Sequence, residues 1–117
     1  MTPRISIIVL NYNGRQWLEP CLSALAAQAD APAFETLLVD NGSSDDSVPL
    51  VTERFPSVRI LRNGGNLGFA AGNNAGARAA RGDTLVFLNN DTIPAVNRLA
   101  RLRAASTEAP DRDLLAS

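Results

Sequence analysis

Four short apolar runs are spaced along the chain, and each gives way to polar residues or glycine. Arg4 to Leu10 is β-rich and almost wholly apolar, which suits a central strand buried on both faces. It ends in Asn11-Tyr12-Asn13-Gly14. A helix is expected next, to about Ala29, with Trp17, Leu18, Cys21, Leu22 and Leu25 at helical spacing. Pro20 has no N–H and belongs in a first helical turn, so the helix is expected to start near Gln16. Phe34 to Val39 is a second strand, closed by the polar run Asp40 to Asp46. Ser44 or Asp45 is placed to cap the following helix, which carries Val48, Val51 and Phe55 as its apolar stripe and stops at Pro56. Val58 to Leu61 is a short third strand.

Asn63-Gly64-Gly65-Asn66-Leu67-Gly68-Phe69 is a glycine-rich loop, and Gly68, Gly72, Gly76 and Ala80 follow four residues apart. Each helical Gly costs roughly 1 kcal/mol against Ala. A ridge of them therefore implies close approach by another backbone or a ligand. The fourth strand, Leu85 to Leu88, runs into Asn89-Asn90-Asp91-Thr92. Ala95 to Ala105 reads as helical, and Thr107 to Ser117 as a frayed end outside a domain of residues 1–106.

This alternation predicts an α/β fold with helices on both faces of a parallel sheet in the order 3-2-1-4. An apolar strand edge left open beyond Leu85–Leu88 would invite self-association. In such sheets the ligand crevice lies outside the carboxyl ends of the strands. The polar turns at Asn11–Gly14, Asp40–Asp46 and Asn89–Thr92 should all open there. At Asp91 two readings stand: a carboxylate flanked by amide oxygens suits a hard cation, and the same residues suit an Asx-type turn.

Composition narrows the chemistry. All eleven basic residues are Arg, and the chain has no Lys or His. A P-loop lysine, a Schiff-base lysine and histidine acid–base or metal chemistry are thereby excluded. The turn after the first strand also lacks the dinucleotide-binding glycine pattern. A net charge of -1 gives no reason to expect nucleic acid as a partner. The single cysteine, Cys21, is expected as core packing, in a reducing compartment. Neither a signal-peptide pattern nor an apolar run approaching the roughly 20 residues of a membrane span is present.

Four segments together resemble the family 2 glycosyltransferases of the GT-A fold, especially rhamnosyltransferase-like members. They are Ser6-Ile-Ile-Val-Leu-Asn-Tyr-Asn-Gly14, Leu38-Val-Asp-Asn-Gly-Ser-Ser-Asp45, Asn63-Gly-Gly-Asn-Leu-Gly-Phe-Ala-Ala-Gly-Asn-Asn-Ala-Gly76 and Phe87-Leu-Asn-Asn-Asp-Thr92. The resemblance implies a three-layer nucleotide-diphospho-sugar transferase fold. It implies transfer of a sugar from a UDP- or dTDP-linked donor to an acceptor hydroxyl of a glycan or glycolipid. Asn11, Tyr12, Asn13 and Asp40 would hold the nucleobase, with the Asp40 carboxylate accepting the pyrimidine N3–H, and Asn41 would belong to the same donor site. Tyr12 would pack on base or ribose, or stand as a rim aromatic. Asn66, Gly68 and Asn73 would line the ribose and diphosphate region, or serve loop capping and helix packing.

Asn89, Asn90 and Asp91 fall on the family's Asp-x-Asp position. Asp91, with Asn89, would hold Mg²⁺ or Mn²⁺ together with the diphosphate. Asn89 replaces the first Asp of that motif, so one charge is missing. The family's catalytic base and acceptor-binding half are expected beyond Ser117, and Glu108, Asp111 and Asp113 lack the context of a base. The expectation is thus a truncated donor-binding half, inactive alone. The whole enzyme would be cytoplasmic or peripheral at the inner membrane face. A non-catalytic nucleotide-binding subunit is the alternative. A nucleotidyltransferase on a related fold is disfavoured by the absence of Lys.

Overall fold

The structure is a computed structural model and describes residues 3–29, 31–101 and 114–116. The order is β1 (Ile5–Asn11), α1 (Arg15–Ala26), β2 (Phe34–Asp40), α2 (Ser47–Arg54), β3 (Arg59–Arg62), α3 (Phe69–Ala79), β4 (Thr84–Asn89) and β5 (Leu114–Ala116). The sheet runs β3-β2-β1-β4-β5, and every described pairing is parallel. The expected order 3-2-1-4 is therefore present, but a fifth strand extends it. Leu114–Ala116, part of the segment expected to fray, pairs with Leu85, Val86 and Phe87, so β4 is not an open edge there. Three residues give too short a run to show β periodicity in the sequence. Residues 107–113 and Ser117 lie outside the described residues, as do Glu108, Asp111 and Asp113.

The alternation of β1 divides the core. Ile5, Ile7 and Val9 pack with Leu18, Cys21, Leu22 and Leu25 of α1, Val51 of α2 and Leu99. Ile8, with Leu37, Val39 and Leu85, packs on the other face with Ala77 and Ala79 of α3. The molecule is thus a three-layer α/β sandwich, as the resemblance implied. Gly72 and Gly76 explain how α3 lies so close. A Cβ on Gly76 would fall 2.7 Å from Ile8 Cγ2 and 2.8 Å from Val39 Cγ2, and one on Gly72 would fall 2.6 Å from Leu10 Cδ1. Gly68 belongs to a different role: it precedes α3 at φ 85°, which a side chain would strain.

Several helix details refine the sequence expectation. Helix α1 starts at Arg15, and Pro20 lies inside it. Gln16 and Pro20 are both exposed, so water can reach the helix where Pro20 supplies no N–H. Trp17 is 48% exposed, because the buried stripe runs 18, 21, 22, 25 and Trp17 flanks it. Helix α2 is preceded by Asp46, whose side chain makes no cap bond; Asp45, one of the two expected caps, accepts from the Ser47 N–H at 3.0 Å. Burial works to raise the Asp45 carboxyl, but bonds from Ser47 and Arg15 outweigh it and hold it below the usual range.

The amino edge of the sheet is braced by Glu35. It accepts from Ser6 Oγ at 2.6 Å and from the Arg81 N–H at 2.7 Å, and it pairs with Arg59. Partial burial works to raise this carboxyl, yet these bonds and the Arg59 charge keep it below the ordinary value. Among the described residues no helix is long and apolar enough to cross a membrane.

Candidate donor site at the carboxyl edge of the sheet

Register makes the site. Asn11 pairs with Asp40, and Leu10 with Asn89, so β1, β2 and β4 end level with one another. Their polar turns then have to satisfy many donors and acceptors in a small space, and they do so by bonding across strands. Asn11 is fully buried and Asp40 is 2% exposed. Asn11 Nδ2 donates to Asp40 Oδ1 at 3.0 Å and to Ser43 Oγ at 3.2 Å. Asp40 also accepts from Ser43 Oγ at 2.7 Å and from the Ser43 N–H at 2.9 Å. Asn13, at φ 51°, turns its side-chain oxygen to the N–H groups of Ser44 (2.7 Å) and Asp45 (3.1 Å). Asn90 Nδ2 donates to Asn11 Oδ1 at 2.9 Å.

A second amide brace holds the glycine-rich loop. Asn41 accepts from Asn63 Nδ2 at 2.7 Å and donates to the Gly68 carbonyl at 3.1 Å and to Asn66 Oδ1 at 3.4 Å. Asn66 Oδ1 also accepts the Gly68 N–H at 2.9 Å. Gly42 allows this loop to come near, since a Cβ there would lie 2.9 Å from Gly65 Cα.

Between the two braces lies an open cleft of about 380 Å³, lined by Leu10, Tyr12, Asn41, Asn66, Gly68, Phe69, Asn89, Asn90 and Asp91. Seven sequence-predicted residues meet in it: Tyr12, Asn41, Asn66, Gly68, Asn89, Asn90 and Asp91. Asn11, Asn13, Asp40 and Asn73 do not line it. Asp40, expected to accept the pyrimidine N3–H, is 2% exposed, with its carboxylate bonded to Asn11 and Ser43. Leu10, Phe69 and Ser43 were not singled out from sequence. Phe69 carried a signal, as an aromatic placed directly after a glycine-rich loop; it is 69% exposed. Leu10 carried none, being one more apolar residue of a strand.

The cleft is suited to a nucleotide. Tyr12 and Phe69, both exposed, offer apolar faces for a flat ring. The first turn of α3 begins at the cleft, where backbone N–H groups and the helix dipole favour anionic phosphate. Asn89 and Asp91 are exposed oxygen donors at the end of β4. Among the described residues no group of three His, Cys, Asp or Glu side chains is placed to hold a metal. One carboxylate and one amide fit a hard divalent cation only where further oxygens come with it, as a diphosphate supplies. The Asp91 charge also reaches inward: burial first, then Asp91, pushes the Cys21 thiol up to about 11, so this buried cysteine is an inert core residue.

Comparison with known proteins agrees with this architecture. Residues 6–115 match the pattern of glycosyl transferase family 2. An uncharacterized glycosyltransferase of Haemophilus influenzae is 38% identical over 87 residues, covering 74% of this chain and 29% of that protein. The structure of residues 1–349 of S. aureus TarS in complex with UDP-GlcNAc superposes with a TM-score of 0.82 at 25% identity, covering 90% of this chain and 31% of that one. The mannosyltransferase PcManGT of Pyrobaculum calidifontis, in complex with GDP-Man and Mn²⁺, superposes with a TM-score of 0.71 at 28% identity, covering 82% of this chain and 30% of that one. The chain thus spans under a third of the length of these three proteins. Over that span, sequence and fold agree that the chain belongs to the family 2 glycosyltransferases.

Proposed function

We propose that this chain is the donor-binding part of an inverting glycosyltransferase that moves a sugar from a nucleoside diphosphate to a hydroxyl of a polysaccharide or glycolipid. The observation that carries this reading is the cleft itself, where two exposed aromatics, an amide wall and the Asn89–Asp91 strand end meet in about 380 Å³. The base and ribose lie against Tyr12 and Asn41, and the diphosphate extends toward Asn66, Gly68 and Asp91. Asp91, with Asn89, would hold Mg²⁺ or Mn²⁺, which when bound supplies positive charge for the departing diphosphate. Asn90 keeps the turn between them in place. The acceptor hydroxyl attacks the anomeric carbon as a carboxylate base removes its proton, and the nucleoside diphosphate leaves. No residue in the described part of this chain is assigned as that base.

The donor is a uridine or thymidine diphosphate sugar. The UDP-GlcNAc complex of TarS supports a pyrimidine in this cleft. The enzyme works in the cytoplasm or peripherally at the inner membrane face, where it meets its glycan or glycolipid acceptor. Calorimetric titration with UDP, dTDP and GDP in the presence and absence of Mn²⁺ tests the reading. Pyrimidine diphosphates should bind tighter than GDP, Mn²⁺ should raise their affinity, and Asp91→Ala should abolish that gain. Equal affinity for GDP contradicts the pyrimidine assignment. A gain from Mn²⁺ that survives Asp91→Ala contradicts the metal assignment.

A further inference from the structure

Asn11 does not line the cleft, yet it is the joint on which both ends of the cleft turn. Its carboxamide accepts from Asn90 at 2.9 Å on one side. On the other it donates to Asp40 at 3.0 Å and Ser43 Oγ at 3.2 Å. Ser43 Oγ in turn accepts the Asn13 N–H at 2.8 Å, one residue from Tyr12. A continuous chain of bonds thus runs from the Asn89–Asp91 turn, through the central strand, to the turn that carries Tyr12.

Two further observations single out this joint. Beyond β4 the turn closes on itself through the Thr92 N–H and the Asn89 carbonyl, and past the sheet pair of Leu10 with Asn89 the Asn90–Asn11 bond ties it across to β1. Residue 14 is bare where that bond runs: a Cβ on Gly14 would collide with Asn90 Nδ2 and lie 2.5 Å from Asn11 Oδ1. An amide suits the place because it carries an acceptor and a donor on one rigid plane. A carboxylate would lose the donor and face the Asp40 charge.

We propose that Asn11 is a positioning residue that couples the base-binding turn to the diphosphate–metal turn, so that occupation of one favours occupation of the other. The proposal rests on the donor-site reading above. A ligand at either end orders the shared network, and the second ligand then has less ordering left to do. Without the joint, each turn orders alone.

The test is a calorimetric coupling measurement on the whole chain. In the wild type, uridine at the base turn and Mn²⁺ pyrophosphate at the diphosphate–metal turn should each raise the other's affinity by about tenfold, and linkage requires the two gains to match. In Asn11→Ala and in Gly14→Ala the gain should shrink to under about threefold, while affinity for uridine, which lacks the phosphates, stays within about twofold of wild type. Gly14→Ala removes no side-chain polar group and presses on the Asn90–Asn11 bond from both sides, so it carries the test if Asn11→Ala fails to fold in a thermal melt. Full coupling in folded Gly14→Ala overturns the proposal, as does a loss of uridine affinity in step with the loss of coupling. A wild type that binds neither UDP nor uridine overturns the donor-site reading and this proposal with it.

Discussion

A carboxylate that is 2% exposed and accepts three hydrogen bonds acts as a brace, and Asp40 is one. Replacing it by Asn keeps the shape but turns one acceptor into a donor facing Ser43 or Asn11. One bond then becomes a clash of donors, with a cost of about 1–3 kcal/mol in stability. Because the damage lies behind the cleft wall, Asp40→Asn should weaken UDP and GDP binding by the same factor. Direct recognition of the pyrimidine by Asp40 would make the loss selective for UDP, and paired titrations distinguish the two. The sequence located this residue correctly at a strand end but could not say which way it faces. At the carboxyl end of a strand, register alone decides whether a side chain meets the ligand or the neighbouring turn. Asn41, one residue on, meets the ligand cleft.

At the scale of elements, the glycine ridge was legible because its spacing matches one helix face, and the structure gives it a partner in Ile8 and Val39. Two effects compete when Gly76 becomes Ala. Helix propensity gains roughly 1 kcal/mol. Overpacking costs typically about 1–3 kcal/mol, toward the upper end here because both neighbours are β-branched and stiff. Gly76→Ala should therefore destabilise by about 1–2 kcal/mol in urea unfolding, whereas Asn74→Ala on the exposed face should be neutral or slightly stabilising. A stabilised Gly76→Ala would mean that α3 lies farther from the sheet. The start of α1 was legible to within one residue and Asp45 was legible as a cap of α2, whereas the depth of Pro20 inside α1 was not.

The Glu35 brace makes a prediction in pH. Its carboxyl is held below the ordinary value, so the ionised group's contribution is fully present above the ordinary Glu pKa, about 4.3. It is lost as pH falls through the lowered value. Glu35→Gln should cost about 1–2 kcal/mol near neutrality. The gap to wild type should close as pH drops from about 5 toward 3, read from urea midpoints across that range. A gap independent of pH would show that the Ser6 and Arg81 bonds, and not the charge, do the bracing.

For the whole molecule, the two edges of the sheet do different work. The amino edge is closed by an ion pair, while the carboxyl edge gathers three polar turns around an open cleft. Strand order and site edge followed from the sequence because buried parallel strands read as continuous apolar runs. β5 did not, because three residues far from the rest carry no period, and its pairing with β4 replaces the open edge that the sequence implied. The central claim, that a donor nucleotide occupies the carboxyl edge, is tested most directly by mapping amide chemical shifts on titration with UDP and Mg²⁺. Shifts are expected at Tyr12, Asn41, Asn66 to Phe69 and Asn89 to Asp91, with Ser6, Glu35, Arg59 and Arg81 unmoved. Shifts centred on the Glu35 edge, or none at saturating UDP, would contradict it.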